Sequence, residues 1–341
     1  MSYFENKNIL IISGLGFIGS HVVVELQNAG LEVVIIDDLS NSKIEVLEQI
    51  TEITEIKPEF HQIDLRDKKK VHNFFNENVI EGVIHFAAFK AVGESVKKPL
   101  DYYENNINAL VYLLQEMKDR NIDYFIFSSS CTVYGQADEL PITEEAPIKP
   151  AESPYGKTKQ IGEEIIKDSC KAYGMNAIAL RYFNPIGAHK SVKIGELPLG
   201  VPQNLIPFIT QTAAGIREEL AVFGDDYPTP DGTAIRDYIH VVDLAKAHVK
   251  ALQRLLNKEN EEGFEFFNVG TGNGSSVMEI IKTFEEVTRQ LLNYKITARR
   301  EGDITAAYAD TTKANEVLGW KPQETLEEVL LSAWKWQQKQ E

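Results

Sequence analysis

Short runs of apolar, β-branched residues bounded by turn residues recur along the chain. They alternate with stretches in which apolar positions return every three to four residues. The runs predict strands at 8–13, 33–37, 59–63, 82–87, 124–128 and 177–182, and helical periodicity predicts helices at 17–29, 102–118 and 155–173. Continuous apolar strands separated by helices point to a parallel sheet, because each parallel strand needs a crossover and the crossover helices bury both faces. The predicted fold class is therefore α/β, a doubly wound parallel sheet. After Asn184-Pro185 the texture shifts to longer loops with Pro198, Pro202, Pro207, Pro228 and Pro230, which predicts a smaller mixed α/β lobe. The expected division is 1–183 and 184–341. It is interleaved, because strand-like sequence near 236–251 and 264–270 is expected to rejoin the main sheet. Lys68-Lys69-Lys70 reads as a solvated helix face.

Composition narrows the function classes. The 341 residues, 43% hydrophobic and 25% charged, can bury one large and one smaller core. A net charge of −16 and a pI near 5.0 argue against a nucleic-acid or anionic-membrane partner, both of which need a basic face. Cys131 and Cys170 are too few for a disulfide framework and read as small buried thiols in a reducing cytoplasm. The start lacks a basic-then-apolar signal, and no apolar run approaches the ~18 residues of a membrane helix. A cytoplasmic location is expected. No residue cluster calls for a metal.

Ligands of doubly wound sheets bind at the carboxyl ends of strands, and two motifs fall there. Gly14-Leu15-Gly16-Phe17-Ile18-Gly19 joins the first strand to a helix. Glycines without side chains let the backbone approach a pyrophosphate, and the helix N-terminus donates N–H groups to it. Asp37 ends the next strand, eighteen residues beyond Gly19. A carboxylate there accepts ribose hydroxyls and repels a 2′-phosphate, which favours NAD over NADP in a Rossmann fold. Asp38 is placed to share the task, and Asp64 is a candidate for hydrogen bonding to adenine.

The second motif is Tyr155-Gly156-Lys157-Thr158-Lys159, with Ser130 twenty-five residues before the tyrosine. Tyr155 and Lys159 share one helix face, and Ser153-Pro154 supplies an N-cap and a first-turn proline, so Tyr155 sits at the positive end of the macrodipole. A phenol titrates near ~10, so a base working near pH 7 needs a shift of about 3 units, roughly 4 kcal/mol. A cation about 4 Å away at intermediate dielectric supplies about that much. The three parts together read as a nicotinamide-dependent active site.

Nearly the whole chain resembles the UDP-galactose 4-epimerase (UDP-glucose 4-epimerase) family of the extended short-chain dehydrogenase/reductases. The resemblance is carried by Gly16-Phe17-Ile18-Gly19-Ser20-His21, His85-Phe86-Ala87-Ala88-Phe89-Lys90-Ala91-Val92-Gly93-Glu94-Ser95, Ser128-Ser129-Ser130-Cys131-Thr132-Val133-Tyr134-Gly135 and Ser153-Pro154-Tyr155-Gly156-Lys157. Further signatures are Arg181-Tyr182-Phe183-Asn184-Pro185, Asp226-Tyr227-Pro228-Thr229, Arg236-Asp237-Tyr238-Ile239-His240 and Arg299-Arg300-Glu301-Gly302-Asp303.

The resemblance implies hydride transfer from sugar C4 to tightly held NAD and its return to the other face of a 4-keto intermediate. Tyr155 would move the O4 proton, Lys159 would hold the nicotinamide ribose and lower the tyrosine pKa, and Ser130 would hydrogen-bond the reacting oxygen. Gly14, Gly16, Phe17, Ile18, Gly19, Asp37, Asp38, Leu39, Ser40, Asn41, Ser42, Asp64, Leu65, Phe86, Ala87, Ala88, Phe89, Lys90, Asn106 and Phe183 would line the cofactor. Asn184, Asn204, Leu205, Ala221, Val222, Phe223, Arg236, Arg300 and Asp303, with the intervening Glu301-Gly302, would hold a UDP-hexose. Two arginines can neutralise a diphosphate, and Phe223 offers an apolar surface to uracil.

Ala307 occupies the gate position. In family members confined to glucose and galactose a tyrosine there crowds sugar C2, so the alanine implies activity on UDP-GlcNAc and UDP-GalNAc as well. Ser13 departs from the family's glycine pattern, and serine tolerates positive φ poorly, so weaker NAD retention is expected. A nucleotide-sugar 4,6-dehydratase or decarboxylase is the nearest rival, but Ser130-Cys131-Thr132 lacks the acid such enzymes place beside the active-site hydroxyl. A non-catalytic NAD sensor is a second rival, and the presence of Tyr155, Lys159 and Ser130 together argues against it. A homodimer is expected through Leu110, Leu113, Leu114, Ile161, Ile165 and Ile166, for which burial against the chain's own sheet is an equal alternative.

Overall fold

The computed structural model describes residues 7–300 and 303–340. Its first part alternates as the pattern predicts: β1 (Asn8–Ile12), α1 (Phe17–Asn28), β2 (Glu32–Asp37), α2 (Glu45–Thr54), β3 (Glu59–Gln62), α3 (Lys68–Glu77) and β4 (Gly82–His85). Then follow α4 (Val92–Lys97), α5 (Pro99–Tyr103), α6 (Ala109–Asp119), β5 (Tyr124–Ser130), α7 (Pro154–Tyr173), β6 (Asn176–Tyr182) and β7 (Asn184–Ile186). The remainder comprises α8 (Leu205–Ala213), β8 (Leu220–Phe223), β9 (Ile235–Arg236), β10 (Tyr238–His240), α9 (Val241–Leu256) and β11 (Phe264–Val269). It ends with β12 (Ser275–Ser276), α10 (Val277–Thr288), β13 (Tyr294–Thr297), β14 (Ala306–Ala307), α11 (Thr312–Val317) and α12 (Leu326–Gln338).

Seven strands form one parallel sheet in the order β11-β6-β5-β4-β1-β2-β3. The period of two in β1 shows how it is covered. Ile9 and Ile11 face the cluster built with α1 and α9, while Leu10 and Ile12 face that built with α3, α6 and α7. Strand order reverses at β1, where β2 lies on one side and β4 on the other, and this opens the ligand crevice of a doubly wound sheet. The smaller lobe has its own core of Ile206, Ile209, Leu220, Ile280, Phe284 and Trp334.

Of the two expected returns to the sheet, only β11 joins it. β10 pairs instead with β7, next to the first β-to-lobe transition, so this stretch starts a small separate sheet, and α9 behind it packs on the main sheet. The helix expected at 102–118 is present and runs without a gap from α5 into α6 through a wider π turn at Glu104–Asn108. Asn106 in that turn sends its side chain to the Phe89 backbone and to Thr158. Leu110, Leu113, Leu114 and Ile166 are at most 5% exposed in the chain's own core, which leaves only Ile161 and Ile165 of the expected interface set half-buried. Among the described residues no helix is long and apolar enough to cross a membrane, and no acid, histidine or cysteine cluster is placed to hold a metal.

Candidate active site

The proton-moving groups are set where β5 meets α7. Ser153 caps α7, its hydroxyl accepting from Gly156 N at 3.2 Å, and Pro154 opens the helix, so Tyr155 stands in its first turn. The Ser130 hydroxyl at the end of β5 accepts from Thr132 N at 3.2 Å and lies on the side of the Tyr155 phenol, whose pKa it draws down. Lys159, one turn further and buried, donates to the Ser128 carbonyl oxygen at 2.5 Å, with its Nζ 6.0 Å from the Tyr155 ring centroid. The third serine is used too. Ser129 Oγ donates to Glu163, which Arg181 grips with two further bonds of 3.0 and 2.6 Å, so successive turns of α7 are each tied to the serine strand. The acid four residues beyond Lys159 is the sequence signal for this anchor.

The electrostatics differ from expectation in one respect. Burial pushes the Tyr155 phenol up to about 12, against the pull of the Ser130 hydrogen bond, and burial pushes Lys159 down to about 7. Lys159 does not lower the phenol, because its ammonium is turned to the Ser128 carbonyl and is itself desolvated.

The glycine turn lies between β1 and α1. Gly19 is packed so tightly that a Cβ would collide with the Ser13 carbonyl oxygen, and one on Gly14 would sit 2.8 Å from Ile35, so these two glycines serve helix–strand packing. Gly16 meets nothing closer than 3.4 Å and lines the crevice, where backbone approach is needed. Ser13 has φ +62°, the left-handed region that favours glycine. Asp37 accepts from Leu15 N (3.0 Å), Leu39 N (2.9 Å) and Ser42 Oγ (2.7 Å). Burial raises its pKa, and with three of about four acceptor positions filled, one remains for a ligand hydroxyl. Asp64 also reaches the crevice, but its carboxylate is engaged by Arg66 at 2.7 Å.

One cavity of about 730 Å³ joins this turn to the smaller lobe. From the cofactor-side set, Asp37, Asp38, Ser40, Asn41, Leu65, Ala87, Ala88, Phe89 and Lys90 line it. Phe17 and Ser42 line a neighbouring cavity that shares Gly16, Asn41, Lys90 and Asn204. Ile18, Leu39 and Phe86 pack on the main core and Phe183 on a small cluster behind Ala307, while the Asn106 side chain brackets Phe89.

Asn184, Asn204, Arg236, Arg300, Asp303 and Ala307 line the cavity from the other side. Both arginines converge on Asp303, Arg300 at 2.8 Å and Arg236 at 3.6 Å from one carboxylate oxygen. The Arg300 guanidinium also lies 5.7 Å from the centre of the half-exposed Phe223 ring. Leu205 and Val222 face the lobe's core, with Ala221 between Val222 and β8's start. Glu301 and Gly302 lie outside the described residues. Cys131 and Thr132 of the serine motif also line the cavity, as do Asn105, Glu152, Val201 and Gln203, which carry no local sequence signal and are brought there by the fold.

Comparison with known proteins decides the family. The family model described as GDP-mannose 4,6 dehydratase matches residues 10–332. The UDP-glucose 4-epimerase of Bacillus subtilis is 49% identical over 96% of both chains. The chain is also similar to the solved UDP-glucose 4-epimerase of Bifidobacterium longum in complex with NAD+ and UDP, at 46% identity and a TM-score of 0.94 over 98% of each chain. A third similar structure, from Stenotrophomonas maltophila with bound NAD and formylated UDP-arabinopyranose, is 46% identical with a TM-score of 0.94 over 98% of this chain and 99% of that one. The chain belongs to the UDP-glucose 4-epimerase family. It is thus an enzyme of a family whose cofactor is NAD. The residues fit that cofactor: the bare Gly16 backbone faces the crevice, and Asp37 keeps an acceptor free where a 2′-phosphate would be repelled.

Proposed function

We propose that this chain interconverts UDP-glucose with UDP-galactose, and UDP-GlcNAc with UDP-GalNAc, by transient oxidation at C4. The observation that carries the reading is the cavity that runs from Gly16 and Asp37 to Arg236 and Arg300, its wall including Cys131, next to Ser130, and Ser153, which caps the helix of Tyr155 and Lys159. When bound, NAD supplies a reversible hydride acceptor. Tyr155 takes the O4 proton and returns it, and Ser130 holds the same oxygen. Buried Lys159, anchored by one donor on the Ser128 carbonyl, offers a remaining donor to the ribose side of the site. Arg236 and Arg300 exchange Asp303 for the diphosphate, and Phe223 supports uracil. A grip confined to the nucleotide leaves the sugar free to turn over between hydride removal and return.

The N-acetylated pair is supported at the gate. Ala307 lines the cavity and is paired in register with Arg236. Tyr308, the neighbour large enough to refill the space, packs its ring on Gly274, where a Cβ would lie 2.8 Å from it. A steric wall at this point would cost far more than an unfilled space does.

Dehydration, favoured by the description of the matching family model, needs a proton donor beside the active-site hydroxyl. Cys131 and Thr132 stand there, and burial pushes the Cys131 thiol up to about 11, so neither provides the acid–base pair. The functional unit is a homodimer in this reading. Purified protein given UDP-glucose, UDP-galactose and the two N-acetylated sugars, with the products separated, tests it. Interconversion within each pair without loss of water is expected, and a dehydrated product overturns it.

A further inference from the structure

Glu196 belongs to no motif, yet it touches both sides of the cleft. Its Oε1 accepts from Asn204 Nδ2 at 2.6 Å and lies 3.6 Å from Lys90 Nζ. Lys90 and Asn204 line the same cavity from opposite lobes. The backbone carrying Glu196 is fixed. Ala188 and Gly195 form an antiparallel bridge, His189 N donates to Ile194 O at 3.1 Å, and Trp336 Nε1 of α12 donates to the Glu196 carbonyl at 2.9 Å. Gly195 lies so close to the Trp336 ring that a Cβ would sit 2.6 Å from it, so nothing larger fits there.

The partners are fixed as well. Phe89, next to Lys90, is bracketed by Asn106, which accepts from its N–H at 2.8 Å and donates to its carbonyl at 3.0 Å. Asn204 holds the N-cap position of α8, where asparagine is among the preferred residues, yet its side chain makes no capping bond. The amide goes to Glu196 instead. A carboxylate only accepts, so the amide presents Nδ2 to it and keeps Oδ1 available to a ligand.

We propose that Glu196 is a positioning residue, a charged clasp that ties cofactor-side Lys90 to substrate-side Asn204 across the mouth of the cleft. The proposal rests on the reading of these two residues given under the proposed function. Through it the two halves of the site are set relative to each other by one side chain only 14% exposed. Loosening the clasp has two separable effects, on retention of the cofactor through Lys90 and on the hold on the sugar nucleotide through Asn204.

Two variants divide them. Glu196→Gln keeps an acceptor for Asn204 and removes the charge facing Lys90, whereas Glu196→Ala removes both. The readouts on the holoenzyme are the rate at which bound NAD leaves the protein and the separate KM and kcat for UDP-galactose. For Glu196→Gln, NAD release about threefold faster is expected, within the range of a partly exposed ion pair, with a shift in KM below about twofold. For Glu196→Ala, KM is expected to rise about tenfold as well, the effect of a lost hydrogen bond to a charged group, with a smaller change in kcat. Wild-type NAD release and KM in both variants, or a fall in kcat alone, overturns the clasp. If the wild type turns over no UDP-sugar, it is the proposed function that fails, and the NAD release rates still decide the clasp.

Discussion

Ala307→Tyr puts a phenol where the cavity wall is now a methyl group only 3% exposed, between Cys131, Ile142 and Ile304. The surrounding Val133, Tyr134, Ile142 and Phe183 form a closed apolar backing, so the new ring has to extend into the cavity. Tyr308 lies on Gly274 and leaves that space open. An acetamido group competing with the ring meets at least the ~1–3 kcal/mol of overpacking. At about 1.4 kcal/mol per tenfold, kcat/KM for UDP-GlcNAc should fall roughly 10–100-fold. UDP-galactose, which has only a hydroxyl at C2 and no acetamido group to overpack, should change by less than about fivefold, a cost under about 1 kcal/mol. The assay is kcat/KM for both sugars in wild type and variant, with NAD content as the check on folding. A parallel fall for both sugars, an unchanged rate with UDP-GlcNAc, or a wild type inert to UDP-GlcNAc refutes the gate argument.

Other predictions concern the cofactor turn and acid stability. Ser13→Gly removes a left-handed serine costing about 1–2 kcal/mol, partly offset by about 0.5–1 kcal/mol of unfolded-chain entropy, so a gain of up to about 1.5 kcal/mol and a larger fraction purified with NAD are expected. Equal NAD content in the two proteins contradicts this. Burial holds His21 and His85 down to about 3 and His189 and His248 to about 4, so all four fold neutral. Because the unfolded chain binds these protons first, stability is whole above about pH 6.5 and declines by up to about 1.4 kcal/mol per pH unit for each histidine as pH falls toward 4. Urea midpoints between pH 7 and 4 measure it, and a flat profile would show that the imidazoles are hydrated in the folded protein.

The main sheet was legible because its central strands are short apolar runs, rich in Ile and Val in β1, β2 and β4 and in aromatic residues in β5. The positions of the two motifs followed from the rule that such sheets bind ligands at strand carboxyl ends. What escaped was decided by tertiary partners. The strand-like 237–241 stretch carries a strand's composition, but β7 is nearer to it than any edge of the main sheet. Leu110 and Leu113 could equally face a partner or the sheet, and packing with Phe125 and Phe127 settled them inward. Lys159 stands at the expected position, yet its charge is spent on the Ser128 carbonyl, a partner no spacing reveals. Glu196 was invisible because Lys90 is remote from it in sequence and the eight residues to Asn204 carry no periodic pattern that pairs the two.

The most direct test of the account is turnover of UDP-galactose by Tyr155→Phe, measured beside the NAD content of the same preparation. The substitution removes one hydroxyl facing Ser130 and leaves the glycine turn and Asp37 untouched. NAD content equal to wild type with turnover lowered by about 10²–10⁴-fold is predicted, the range of a positioned acid–base group. Wild-type turnover by the phenylalanine variant would contradict the assignment of the proton transfer to Tyr155.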